Sequence, residues 1–164
     1  MSIRFNADEI FEIALQMERN GGAFYRRAAD IVKDAKGRDL LMGLARWEDE
    51  HENVFAAMRA QLSGPDLEPT VFDPEGESAL YLRSLANSKV FDVRGNPAAK
   101  LTGSETYGEI LGNALEREKD AGGFYLGMKE MVPERLGKSK IDGIVKEEMS
   151  HIRILSDELA ALGQ

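Results

Sequence analysis

Set against itself at an offset of 100 residues, the sequence matches at 13 of the 43 positions from Glu9 to His51 without a gap. Glu9-Ile10 falls on Glu109-Ile110, Ala14-Leu15 on Ala114-Leu115, and Glu18 on Glu118. Further along, Gly22-x-Phe24-Tyr25 falls on Gly122-x-Phe124-Tyr125, and Glu48-x-x-His51 on Glu148-x-x-His151. A unit that recurs at a fixed offset reads as one supersecondary element used twice. The fold therefore has to contain two like halves related by an approximate two-fold axis.

Within each unit, apolar and small residues recur at alternating spacings of three and four, the period of one helix face. Helix A carries Phe11, Leu15, Glu18, Gly22, Tyr25, Ala29 and Val32, entered through a capping box of Asn6 and Glu9. Helix B carries Leu41, Leu44, Glu48, His51, Phe55, Met58 and Leu62, and ends at Ser63-Gly64-Pro65. Helix C, placed after a capping box at Thr102-Gly-Ser-Glu105, carries Leu111, Leu115, Glu118, Gly122, Tyr125 and Val132. Helix D carries Ile141, Ile144, Glu148, His151, Leu155, Glu158 and Leu162.

Lys36-Gly37 and the stretch from Pro133 to Gly137 leave room only for short turns, so A with B and C with D form antiparallel hairpins. Between B and C stand Pro65, Pro69, Pro74, Gly76, Gly95, Pro97 and Gly103, with a short helix expected over Glu77 to Ala86. A helix of about 25 residues is roughly 37 Å long. A link of this size is what returns the chain so that C starts parallel to B. The expectation is an all-α fold: one domain over 1–164, a four-helix bundle with hairpins at about 7–63 and about 105–162, joined by a crossover at about 64–104.

Glu18, Glu48, Glu118 and Glu148 occupy seam positions that the pattern reserves for apolar side chains, near the middle of all four helices. An uncompensated carboxylate in an apolar interior costs several kcal/mol, and four at one level repel each other further. No Lys or Arg lies on the seams at these levels, so bound cations are the natural counter-charge, and two divalent ions balance four carboxylates. The Glu-x-x-His spacing puts a carboxylate and an imidazole on one helical face. The chain has 2 His, and both follow a Glu by three residues. Mixed imidazole and carboxylate ligation favours iron, or manganese, over calcium and over structural zinc. The reading is two iron ions held by Glu18, Glu48, His51, Glu118, Glu148 and His151.

Tyr25 and Tyr125 lie two turns beyond Glu18 and Glu118 on the same faces. As buried phenols they need partners, and the ligand carboxylates of neighbouring helices are within reach of such positions. Ordinary core aromatics are the equal alternative. Gly22 and Gly122-Gly123 read as sites of close helix packing or as space for a small oxidant, and Trp47, Met17, Met42, Met58 and Met128 as core filler.

Composition excludes several function classes. With no Cys there is no disulfide, thiolate catalysis or iron–sulfur ligation by this chain alone. A net charge of −8 argues against nucleic acid and anionic membrane as partners. The start of the chain reads as a short polar lead into a helix, which makes a cytoplasmic location the simplest expectation.

The set Glu18, Glu48-x-x-His51, Glu118, Glu148-x-x-His151 and Tyr25 resembles the rubrerythrin-like branch of the ferritin-like superfamily over both hairpins. The resemblance implies a Glu4His2 di-iron centre with Glu48 and Glu148 bridging and the other four ligands terminal. It implies an oxidoreductase that reduces hydrogen peroxide or dioxygen, working as a homodimer. Rubrerythrins usually append a four-Cys rubredoxin module; without Cys, this chain would take electrons from an external donor protein. Leu115 stands where rubrerythrins have a further Glu. A ferroxidase serving iron storage or delivery and a non-catalytic metal-binding bundle are the alternatives.

Overall fold

The computed structural model describes residues 6–68, 76–87 and 95–163. Asn6 sets the start of the first helix: its side chain accepts from the Glu9 amide while the Glu9 carboxylate accepts from the Asn6 amide. This reciprocal box satisfies two amides that have no partner inside the helix. From it α1 runs over Ala7–Ile31 and stops where Val32 turns extended. Asp34 then caps α2 (Ala35–Arg59) by accepting from the Gly37 amide. The turn is therefore Val32 to Asp34, and Lys36-Gly37, expected to form it, lie inside the first turn of α2.

The second hairpin repeats these devices. Thr106 and Glu109 form the capping box of α5 (Tyr107–Met131). The expected box at Thr102 and Glu105 is not the cap. Glu105 instead accepts from the amides of Thr102 and Gly103 in a tight turn just upstream. A 3-10 turn at Glu134–Leu136 leads through Gly137, whose φ of 84° suits a residue without a Cβ, into α6 (Lys138–Leu162).

In the crossover, a 3-10 turn at Gly64–Leu67 follows α2. The helix expected over Glu77 to Ala86 is α3 (Glu77–Asn87), and a single turn, α4 (Pro97–Lys100), follows it. Pro69, Pro74 and the first five residues lie outside the described residues. α3 lies against α5, where Leu82 is buried and the Tyr81 hydroxyl donates to the Gly123 carbonyl at 3.0 Å. A Cβ at Gly127 would come within 2.7 to 2.9 Å of Tyr81 and Leu82, so the bare backbone there is what lets α3 approach.

The long helices A to D are thus α1, α2, α5 and α6, each of 25 residues. α1 packs on α2 and α5 on α6, and the two hairpins close on each other through α1 with α5 and α2 with α6. Their seams are buried much as the periodicity requires. One apolar cluster gathers Ile10, Phe11, Phe55, Met58, Met128 and Ile141, and a second gathers Ala28, Leu41, Leu44, Ile110, Leu111 and Leu155. Three seam or core assignments fail. Met42 and Trp47 are each 37% exposed, and Leu162, at the end of α6, is 49% exposed. Among the described residues there is no strand, and no helix is long and apolar enough to cross a membrane.

Candidate metal centre

Between the two apolar clusters lies a layer of polar side chains. Glu18 from α1, Glu48 and His51 from α2, Glu118 from α5, and Glu148 and His151 from α6 are all buried, none more than 7% exposed. The six residues named from the sequence are all brought together. They form two overlapping groups, Glu18, Glu48, His51 and Glu148 on one side and Glu48, Glu118, Glu148 and His151 on the other. In each group one ligand atom per residue lies within 4.8 Å of all the others, and Glu48 and Glu148 are common to both.

Protein groups satisfy only part of this layer. Each phenol reaches across to a carboxylate of the opposite hairpin: the Tyr25 hydroxyl donates to Glu118 Oε1, and the Tyr125 hydroxyl donates to Glu18 Oε1. Glu18 Oε2, Glu48 Oε1, both oxygens of Glu148 and His51 Nδ1 are buried with no hydrogen-bond partner. Buried polar groups are rarely left this way, and a cluster of them calls for an explanation. These atoms are carboxylate oxygens and an imidazole nitrogen, the donor set of a divalent transition metal. Both rings turn the same atom inward. His51 Nδ1 stands 3.0 Å from Glu148 Oε1 and 3.5 Å from Glu18 Oε2, and His151 Nδ1 3.3 Å from Glu118 Oε2.

The electrostatics record the crowding. Desolvation, then the charges of Glu18 and Glu118, raise the Glu48 pKa well above its ordinary value. Desolvation, then Glu118, do the same to Glu148. Desolvation also opposes charge on Glu118, yet the neighbouring Glu148, His151 and Tyr25 outweigh it and hold Glu118 at about 2. Burial, then neighbouring carboxylates, push the Tyr25 and Tyr125 phenols up, so both keep their protons.

The sequence pattern missed several residues that touch this layer. Arg117, adjacent to Glu118, is partly buried with its guanidinium 5.2 Å from the centre of the Phe24 ring, and its charge favours the ionised form of Glu48. One such cation does not balance four carboxylates. Glu147 and Trp47 contact the two imidazoles. Gly21, not Gly22, is the glycine that makes room for the site. A Cβ there would stand 2.9 Å from the Glu48 carboxyl carbon and closer to its Oε2. Gly21→Ala is accordingly expected to displace the Glu48 carboxylate and weaken divalent-ion binding at least about tenfold, in the range typical of a disturbed ligand environment. Calorimetric titration with Mn(II) checks it, and an unchanged affinity would show that Glu48 has room to move.

No protein-family model and no curated protein matches the chain. Among solved structures, the chain is similar to a Thermotoga maritima protein described as a ferritin-like diiron-carboxylate protein, with a TM-score of 0.70 and 19% sequence identity. The match covers 96% of each chain. Likeness at that identity speaks for architecture, and it agrees with the paired hairpins and long crossover described above: the chain has the ferritin-like four-helix fold.

Proposed function

We propose that the protein is a non-haem diiron oxidoreductase, holding two iron ions, with manganese as the alternative metal, through Glu18, Glu48, His51, Glu118, Glu148 and His151. The observation that carries this reading is the set of buried carboxylate and imidazole atoms without partners, aimed at one another in two overlapping groups. The diiron-carboxylate description of the Thermotoga maritima protein, which shares the fold, supports it. In this reading Glu48 and Glu148 would serve both metal positions, since each belongs to both groups.

Bound there, the pair of ions would supply electrons for reducing hydrogen peroxide or dioxygen. The chain itself does three things. Its two apolar clusters enclose the site above and below. Tyr25 and Tyr125 fix Glu118 and Glu18 by donating to one oxygen of each, which leaves the other oxygen for a ligand. The same phenols, which burial keeps protonated, would hold a proton beside each of these two carboxylates. The full reading adds an external electron-donor protein, since the chain has no Cys to hold an electron-transfer cluster, and a homodimer.

Anaerobic loading is expected to give two Fe(II) per chain, and Glu18→Ala less than two; an unchanged stoichiometry would refute the ligand set. In stopped flow, the loaded protein should be oxidised by peroxide or dioxygen faster than free Fe(II). Oxidation no faster than that of the free ion would remove catalysis from the proposal. Turnover of many ions per chain into a mineral would point to the ferroxidase alternative.

A further inference from the structure

The two halves of the site match closely until one reaches positions 47 and 147. These are equivalent at the 100-residue offset, each directly before a buried Glu, and each reaches the imidazole of the opposite hairpin. Glu147 Oε2 lies 2.6 Å from His51 Nε2. Trp47 instead lays its indole on the His151 ring, with centroids 4.7 Å apart and planes at 18°. Among the described residues, both carboxylates within 4 Å of His151 face its Nδ1, and none faces its Nε2.

The difference has a chemical consequence. A carboxylate that accepts from the outer N–H of a ligand histidine fixes the tautomer, so that the inner nitrogen presents its lone pair, and makes that nitrogen more basic. Such partners are worth about 10- to 100-fold in metal affinity. A stacked indole orients the ring but contributes no charge and no acceptor. The tyrosine contacts and the unmatched neighbours of Glu48 do not separate the two positions. Glu18 and Glu118 each accept from one Tyr. The unmatched neighbours Gly21 and Arg117 both act on Glu48, which belongs to both groups.

We propose that the two metal positions are unequal and fill in order, the one built on His51 first and the one built on His151 second, with Glu147 and Trp47 setting the difference. The inference rests on the dinuclear reading above and adds to it an assignment of which position binds more tightly.

Titration of the metal-free full-length chain with Mn(II), followed by calorimetry and by electron paramagnetic resonance, tests this. Two binding steps at least about tenfold apart are expected. One equivalent should give the six-line spectrum of isolated Mn(II), and the second should convert it to a spin-coupled pair. Glu147→Gln should weaken the first step about tenfold or more while leaving the second nearly unchanged. Trp47→Glu should tighten the second step and draw the two together. Glu147 and Trp47 are 56% and 37% exposed, so both variants should fold, which melting of the metal-free proteins verifies. A coupled signal already at one equivalent, equal affinities in the wild type, or an equal shift of both steps in Glu147→Gln would overturn the ordering while leaving the metal centre standing. No Mn(II) binding at all would overturn both.

Discussion

Replacing Glu148 with Gln is expected to raise the melting temperature of the metal-free protein and, at the same time, to abolish most of the further rise that divalent ions give the wild type. The two effects have one cause. Glu148 is buried with neither oxygen bonded, and its pKa is raised, first by desolvation and then by Glu118. Folding without metal must therefore take this carboxyl out of water and keep a proton on it. Gln carries no proton to take up on folding, so it removes that cost, about 1.4 kcal/mol for each pH unit between 4.5 and the working pH or the folded pKa, whichever is lower, and each kcal/mol is roughly 2–4 °C for a chain of this size. In the wild type, two ions at a thousandfold excess over Kd add about 4 kcal/mol each. Gln cannot bridge two cations as a carboxylate does, so the variant loses most of that gain. Calorimetric melts of both proteins, in chelator and in Mn(II), separate the readings. If Glu148→Gln melts lower without metal and keeps the wild-type shift with it, Glu148 is an ordinary structural partner and the metal centre is misplaced.

The same opposition explains why the site is so legible in the sequence. A carboxylate on an apolar seam contradicts the periodicity around it, and four such contradictions at one level, repeated at a fixed offset, converge on one layer. The residues around them carry no such mark. Glu147 and Trp47 stand one position off the seam and act on the opposite hairpin, and contacts between hairpins leave no period in the chain. Gly22 is four residues after Glu18 on its seam and so attracts attention, but the Glu48 carboxylate arrives from α2 on the side of Gly21. The start of α5 shows a different failure. Thr102 with Glu105 satisfies the capping pattern as well as Thr106 with Glu109 does, and local pattern alone does not choose between them. The repeat does choose, because 106 and 109 are the Asn6 and Glu9 positions displaced by 100.

Between pH 5 and pH 8, the stability of the metal-free protein is expected to fall while its affinity for divalent ions rises. Glu48 and Glu148 have pKa values raised by burial and then by neighbouring carboxylates, from an ordinary 4.5. Above pH 4.5 the unfolded chain has released these protons and the folded chain still holds them, so the folded state binds more protons and stability decreases as pH rises. His51 acts in the same direction. Burial opposes its charge, but Glu18 and Glu147 outweigh this and raise it from 6.5, so its contribution is full below 6.5 and is lost as pH climbs through the folded value. Glu118, held at about 2, contributes above 4.5 and is lost only as pH falls toward 2, outside this window. Metal binding must displace the protons of Glu48 and Glu148, so apparent affinity should rise roughly tenfold per pH unit for each proton released. Urea unfolding in chelator at several pH values gives the first slope, and Mn(II) titration in buffers of different ionisation enthalpy gives the second. A metal-free midpoint that does not fall with pH, together with a pH-independent Kd, would show that these carboxyls are already ionised in the folded chain. The two experiments are also bound to each other. Above about pH 7.5, where the unfolded chain has also released the His51 proton, the protons that the folded chain holds at the ligands in excess of the unfolded one are the protons that a metal must expel, so there the unfolding slope and the calorimetric release should return the same count.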